Sequence, residues 1–404
     1  MAWNPALLEG FVEEMTEGLL TGDSLIIACL KCLLPALNSA EEIEKERERG
    51  DPEHYYVTSI SEEEFTAVFD KVKAFKARHP KKLEDFERKI VAKFQTNQPT
   101  VEDENLKYDV AMRMEDILEH MYELSHVVVG GSVATKLAVK DSDLDLCVFI
   151  DSMEEESDLL NRFLHIIMSQ WPSLITPELK LIKNARVPVL KLKCSDEYKN
   201  LKIDATCNMP HTLQTNHLVF HYVQFDDRVA KLIFVVKKWA SKHIKLSSYG
   251  RLSSCSLNYM VIHYLQSVCT PPILPNLARM FPEVFNQENK YYWARSRHRH
   301  CINEDLKRQM PENTLSIAEL VLGFFAYYAQ FSWHGTEIDI RYGKRLERGS
   351  MPCDDPMIIL EPYKRINTDR NVTISNYFDV IWPMFKTTAR KIFEDGSMNL
   401  ETLF

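Results

Sequence analysis

Asp143 and Asp145 stand two residues apart at the head of an apolar run, Leu144 to Ile150, and no other feature constrains the chain so tightly. The run follows a turn-rich Lys140-Asp141-Ser142 and reads as a β-strand. Side chains two apart on a strand share a face. The two carboxylates therefore lie side by side, while Leu144, Leu146 and Val148 enter a core. Paired carboxylates repel unless one is protonated or both share a cation. Mg²⁺ suits them, because it takes one or two carboxylates and completes its shell with water and substrate phosphates. Upstream, the β-rich His126-Val127-Val128-Val129 ends in Gly130-Gly131-Ser132. Glycine there lets backbone approach a phosphate, and the Ser132 hydroxyl can donate to a phosphate oxygen. Downstream, Leu201, Ile203 and Ala205 alternate with Lys202, Asp204 and Thr206, which makes Asp204 the third carboxylate. A lone GGS or DxD says little; strand, GGS, DxD strand and a later strand aspartate in this order form a specific ensemble.

Val187 to Lys193 also alternates, so four strands with the helix Leu159 to Gln170 between them predict a small, half-buried sheet. Helices flank it on both sides. Asp23 to Leu37 is an apolar helix candidate, and Phe65, Val68, Phe69, Val72 and Phe75 recur at helical spacing within Ser61 to His79. Tyr108 to Leu124 is amphipathic. After Thr215 the spacing predicts helices over Asn216 to Ala240, Ser253 to Val268 and Ile317 to Phe331, the last opened by a capping box from Ser316 to Glu319. The fold class is α+β.

Composition narrows the setting. With 49 basic and 58 acidic residues among 404, the net charge of −9 excludes a protein that coats duplex DNA, though not a local basic cleft. Nine cysteines are too few for a disulfide scaffold and read as reduced, buried thiols. Ser24 to Leu37 carries Lys31 and is shorter than the roughly 20 residues of a membrane span. Glu9, Glu13, Glu14 and Glu17 precede it where a signal peptide needs basic residues. The expectation is a soluble chain in the cytoplasm, with the nucleus as the alternative, and no glycan on the Asn371 sequon. Cys29 and Cys32 have metal spacing but sit on an apolar helix and read as core. The charge run Glu41 to Gly50 reads as a solvated face. His298, His300 and Cys301 beside Arg295, Arg297 and Arg299 read as a solvated loop.

Gly131-Ser132 followed by Ser142-Asp143-Leu144-Asp145-Leu146 resembles the signature of the DNA polymerase β nucleotidyltransferase superfamily. Ala185-Arg186-Val187-Pro188-Val189, Lys237-Lys238-Trp239-Ala240, Gly250-Arg251-Leu252-Ser253-Ser254 and Glu361-Pro362-Tyr363 resemble the Cid-type, template-independent RNA nucleotidyltransferases, over residues 110 to 385. The resemblance implies a helical region over 1–107 packing on the central domain and a polymerase-β-like catalytic domain over 108–214. A mainly helical central domain over 215–404 would carry a nucleotide recognition motif around 361–372. It also implies two-metal phosphoryl transfer, with Asp143 and Asp145 holding two Mg²⁺ or Mn²⁺ ions and Asp204 binding one and helping to activate the RNA 3′-hydroxyl. Gly131, Ser132, Ser253 and Ser254 fall at phosphate-contact positions, and Lys237 would pair with the β- and γ-phosphates as a point charge. Asn216 matches the residue that reads ribose and base edge, with one residue inserted between it and Asp204. Asn367 belongs to the recognition motif.

The substrate expectation is ATP. Uridylyltransferases of this family commonly carry a histidine in the recognition motif, and Glu361 to Arg370 has none. Its Asn367-Thr368-x-Arg370 resembles the cytoplasmic germline-type poly(A) polymerases. The runner-up is a terminal uridylyltransferase using UTP. A third reading, a catalytically weak adaptor of the same fold, draws on Cys255, which stands where the family usually stacks a tyrosine on the base. Lys364 likewise stands where relatives often have an acidic residue. The expected partner is the single-stranded 3′ end of RNA, with neither membrane nor DNA involved. The chain shows no zinc finger or RNP motif, so an RNA-binding protein docked on the helical domain is expected to bring the RNA.

Overall fold

A computed structural model describes residues 57–58, 62–122, 125–185, 187–244, 252–285, 304–347, 355–369, 372, 378–394 and 403. The expected helix over Asp23 to Leu37 with Cys29 and Cys32, the run Glu41 to Gly50, Gly250-Arg251, Arg295 to Cys301, Arg370 and Asn371 lie outside the described residues.

The central sheet is built from β2 (Ser125–Val129), β3 (Leu144–Ile150), β4 (Ile175–Ile182), β5 (Val189–Cys194) and β6 (Lys202–Cys207), in spatial order β2-β3-β6-β5-β4. Strands β3 and β6 run parallel and every other pair is antiparallel. Alternation then sorts the side chains. Leu144, Leu146, Val148, Leu190, Leu192, Ile203 and Ala205 are buried with Met114 and Leu118 of α3 (Val101–Glu119) and Phe163 and Ile167 of α5 (Glu156–Gln170). Burying each such side chain stabilises by about 1.5–3 kcal/mol. The opposite face is left for chemistry.

Helix α3 starts seven residues before the expected Tyr108, and the reason is a capping box. Thr100 Oγ1 accepts the Asp103 N–H at 3.1 Å, and the Asp103 carboxylate accepts the Thr100 N–H at 3.4 Å. Strand β4 escapes sequence reading because its middle is exposed and contains Pro177; it is an edge strand with a register shift between Ile175 and Leu179, where proline is tolerated.

A second core gathers helices from both ends of the chain. Val68, Val72 and Phe75 of α1 (Glu62–Arg78) and Phe86 and Ile90 of α2 (Pro80–Thr96) join residues of α6 (Pro210–Phe225), α7 (Asp227–His243), α8 (Ser254–Ser267), α9 (Ile317–Gln330) and α10 (Phe378–Phe393). Trp239, Phe324, Phe325 and Tyr328 lie at its centre, and the Trp239 indole N–H donates to Thr388 Oγ1 at 2.9 Å. The single helix expected over Asn216 to Ala240 is two. Asp226 adopts extended backbone between them, caps α7 by accepting the Arg228 N–H, and pairs with the Arg228 guanidinium at 2.8 Å. A small antiparallel sheet of β1 (Val57–Thr58), β8 (Lys344–Glu347) and β7 (Thr336–Asp339) flanks this core.

Candidate active site

Strand register builds the site. Asp145 of β3 lies directly opposite Asp204 of β6, Asp204 opposite Lys191 of β5, and Lys191 opposite Lys180 of β4. Residues opposed across paired strands share a face, so Asp145, Asp204, Lys191 and Lys180 form one row across the sheet. The Lys191 ammonium donates to Asp204 Oδ2. Burial raises the Asp145 pKa, the facing Asp204 charge raises it further, and Asp143 adds to the push. A hydrogen bond from the Ser132 N–H and the Lys191 charge oppose that rise. Asp143 is exposed at the strand's leading end.

The glycine turn locks onto the same carboxylate. The Gly130 N–H donates to the Asp145 carbonyl at 2.8 Å. Gly131 has φ +56°, and a Cβ there would sit 1.8 Å from Asp145 Oδ2. Only glycine combines that backbone with that contact. Asn216 reaches the turn from α6, its Nδ2 3.3 Å from where a Gly130 Cβ would be. That Nδ2 is buried without a hydrogen-bond partner among the described residues, so a donor is held ready beside the aspartates.

Next to the turn, Ser132 and Lys237 of α7 line a cavity of about 310 Å³ with Ser142, Lys136, Lys238 and Ser254, and the three aspartates stand outside its lining. Burial lowers the Lys237 pKa, while Cys255 and Asp145 favour its charged form. Ser254 is exposed to the cleft, whereas Ser253 is spent as the N-cap of α8, accepting the Ser256 N–H at 3.0 Å. Cys255 is an exposed residue within electrostatic reach of Lys237, Asp145, Asp369 and Glu361; desolvation raises its thiol pKa and the Lys237 charge opposes the rise.

The recognition segment is tied back to these helices. Glu361 accepts from Thr215 Oγ1 with one oxygen and from the Tyr363 and Lys364 N–H groups, at 3.0 and 2.6 Å, with the other. Asp369 is buried, accepts the Ser253 N–H at 3.0 Å, and has its carboxyl pushed up to about 7 by burial. Asn367 uses its amide on its own loop: Nδ2 donates to the Met357 carbonyl at 2.9 Å, and Oδ1 accepts from the Ile359 and Asp369 N–H groups. The structure thus groups Asp145, Asp204, Gly131 and Asn216 at the sheet, with Asp143 exposed beside them, sets Ser132, Lys237 and Ser254 around the adjoining cavity, and gives Ser253 and Asn367 supporting bonds. Sequence reading missed Lys191, Thr215 and the buried Asp369. Only Lys191 left a signal there, as the central basic residue of an alternating strand.

The donor set suits a hard divalent cation. It offers carboxylate oxygens alone, already crowded enough to raise one of their pKa values, with Lys191 supplying one neutralising charge. Asp143, Asp145 and Asp204 would hold such ions.

Two family descriptions match in chain order: "Poly(A) RNA polymerase, mitochondrial-like, central palm domain" over residues 86–224 and "Cid1 family poly A polymerase" over 316–367. Together with the fold, these matches support a Cid-type RNA nucleotidyltransferase. Among relatives, the Poly(A) RNA polymerase GLD2 of Rattus norvegicus is 27% identical over 332 residues, covering 79% of this chain and 67% of that protein. The Poly(A) RNA polymerase gld-2 homolog A of Drosophila melanogaster is 29% identical over 293 residues, but the match spans only 21% of its length. In the structure of a GLD-2/RNP-8 complex, one chain superposes with a TM-score of 0.65 at 25% identity, covering 80% of this chain and 98% of that one. The MgGTP-bound Cid1 poly(U) polymerase shares the fold, with a TM-score of 0.66 at 23% identity over 79% of this chain and 98% of its own. The Cid-type chain is an RNA nucleotidyltransferase with the α+β architecture expected of it.

Proposed function

We propose that this Cid-type enzyme is a cytoplasmic poly(A) polymerase that adds AMP from ATP to single-stranded RNA 3′ ends without a template. The observation that carries the reading is the cross-strand pair Asp145 and Asp204 packed against the Gly131-Ser132 turn, with Lys237 sharing a cavity with Ser132 and within electrostatic reach of Asp145. When bound, Mg²⁺ or Mn²⁺ supplies charge stabilisation for the attacking and leaving oxygens of an in-line displacement. The chain's own residues set the geometry. Asp143, Asp145 and Asp204 present their carboxylates at the reacting phosphorus, and Asp204 helps to activate the 3′-hydroxyl. Ser132, Ser254 and Lys237 face the departing pyrophosphate, whose charge Lys237 neutralises. A bond forms between the RNA 3′-oxygen and the α-phosphorus, and the bond to the β-phosphate oxygen breaks. Residues 108–214 carry this chemistry, and 215–404 select the base.

The relatives named as poly(A) polymerases and the histidine-free recognition segment support ATP. The GLD-2/RNP-8 complex supports an RNA-binding protein partner. None of the described helices is long and apolar enough to cross a membrane. The test is extension of a labelled RNA primer with each nucleoside triphosphate alone, in Mg²⁺ and in Mn²⁺, with Asp143→Ala/Asp145→Ala as the blank. Extension with ATP is expected. Preference for UTP would make the enzyme a uridylyltransferase, and no extension by folded protein with its partner would make it an adaptor.

A further inference from the structure

Away from the nucleotide cleft, the C-terminal end of α3 lies beside the edge strand β2. Glu115 and Glu119 stand one turn apart on α3, and His126 is the second residue of β2. His126 Nδ1 lies 3.3 Å from Glu115 Oε1 and 3.5 Å from Glu119 Oε1, and one ligand atom from each residue fits within 4.8 Å of the others.

These distances discriminate between two uses of the cluster. Charge-assisted N–H···O bonds settle at about 2.7–2.9 Å, so both separations are long for an ion pair optimised as such. Ligand bonds of about 2.0–2.2 Å to tetrahedral Zn²⁺ put neighbouring donors roughly 3.3–3.6 Å apart. Both separations fall in that range. Two carboxylates four residues apart on a helix repel one another, a cost that a shared cation relieves. Side-chain exposures of 23% for His126, 20% for Glu115 and 47% for Glu119 leave the cluster open on one side for a water as fourth ligand. An imidazole among the donors favours Zn²⁺ and its neighbours over Mg²⁺ or Ca²⁺.

We propose that Glu115, Glu119 and His126 form a site for a Zn²⁺-class transition-metal ion, distinct from the catalytic aspartates. The bound ion clamps the end of α3 to the strand that runs into Gly130-Gly131-Ser132, and so steadies the turn that grips Asp145.

The experiment uses Co²⁺ as a spectroscopic probe on the full chain carrying Asp143→Asn and Asp145→Asn, which removes competing catalytic carboxylates. The expected result is one Co²⁺ per chain with the visible absorption of a tetrahedral ion, displaced by Zn²⁺. In that background Glu119→Gln and His126→Gln should each weaken the affinity at least about 10–100-fold. Thermal melting in chelator checks that these variants are folded, and Zn²⁺ should raise the melting temperature only when all three ligands are present. The absence of a tetrahedral band, or a band that survives both substitutions, overturns the assignment.

Discussion

The two walls of the cleft are assembled by different means. On the sheet wall, Asp143, Asp145 and Asp204 take their places from strand alternation and register, and the glycine turn is tied to Asp145 by backbone bonds. On the helical wall, Lys237, Cys255, Glu361 and Asp369 come from separate segments, and side-chain bonds tie Glu361 and Asp369 to helices far away in sequence. Ser253 and Asp369 are 116 residues apart, and Thr215 and Glu361 are 146 apart. The sheet wall is fixed by backbone geometry and tolerates no change of chemistry. The helical wall is a network of separate contacts, which suits the base-selecting role proposed for it. Substitutions on the first wall should abolish turnover, and those on the second should retune it.

The largest expected effect tests the first half of that contrast. Asp145→Asn should lower primer extension by more than about 10³-fold, several kcal/mol of lost transition-state stabilisation. The fold should not suffer, because the substitution removes a buried charge that already repels Asp204. A melting temperature equal to or above that of the parent, with extension lost, is the expected pair of results; a substantial drop in melting temperature would show Asp145 to be structural.

Next in size is Gly131→Ala. The new Cβ would overlap Asp145 Oδ2 in a left-handed conformation, and left-handed backbone alone costs an alanine about 1–2 kcal/mol. The turn must move or Asp145 must turn away. Either result should cut extension about 10–100-fold, most of it in turnover number, since a misplacement of about 1 Å can cost about 100-fold. Unchanged turnover in steady-state assays would show that the turn does not position the carboxylate.

The same contrast explains what was legible in the sequence. Period-two alternation placed Asp145 and Asp204 on one face because register preserves side-chain direction, and the core residues of β3 and β6 followed from the same rule. Strand β4 was not legible, since Pro177, Glu178, Leu179 and Lys180 are all exposed, so alternation is lost, and Pro177 breaks the usual strand pattern. The division of α6 from α7 depends on Asp226 preferring a cap and a half-buried arginine to a helical place, an outcome set by tertiary partners. Asn367 was legible as a motif residue but not as one bonded to its own loop, and nothing near Asp369 in the sequence marks the serine it meets. Local periodicity encodes the sheet wall; long-range pairing hides the helical one.

Asp369 supplies a test on the helical side. Its carboxyl is raised to about 7 from an ordinary value of 3.8, so the folded chain binds this proton more tightly than the unfolded chain. The stabilisation is full below pH of about 3.8 and is lost as pH rises through about 7. Asp369→Asn keeps an acceptor for the Ser253 N–H and never ionises. The variant should therefore melt higher than the parent at pH 8 and lose that advantage at pH 5. Parallel melting curves for the two chains across this range would show that Asp369 is not a buried acid in the folded protein.

The smallest and most selective effect belongs to Cys255. Cys255 is exposed and within electrostatic reach of Lys237, Glu361 and Asp369, at the position where the family resemblance expects a tyrosine stacked on the base. A base–aromatic stack is worth about 1–3 kcal/mol, and about 1.4 kcal/mol is tenfold in affinity. Cys255→Tyr should thus lower the KM for ATP up to about tenfold, with little change in turnover number, because the metal-binding wall is untouched. The gain should be larger for ATP than for UTP, since a purine offers more surface to stack. Equal gains would mean that the tyrosine merely fills the cleft. A loss of turnover would mean that the two walls are coupled, so that retuning base selection also disturbs the carboxylates.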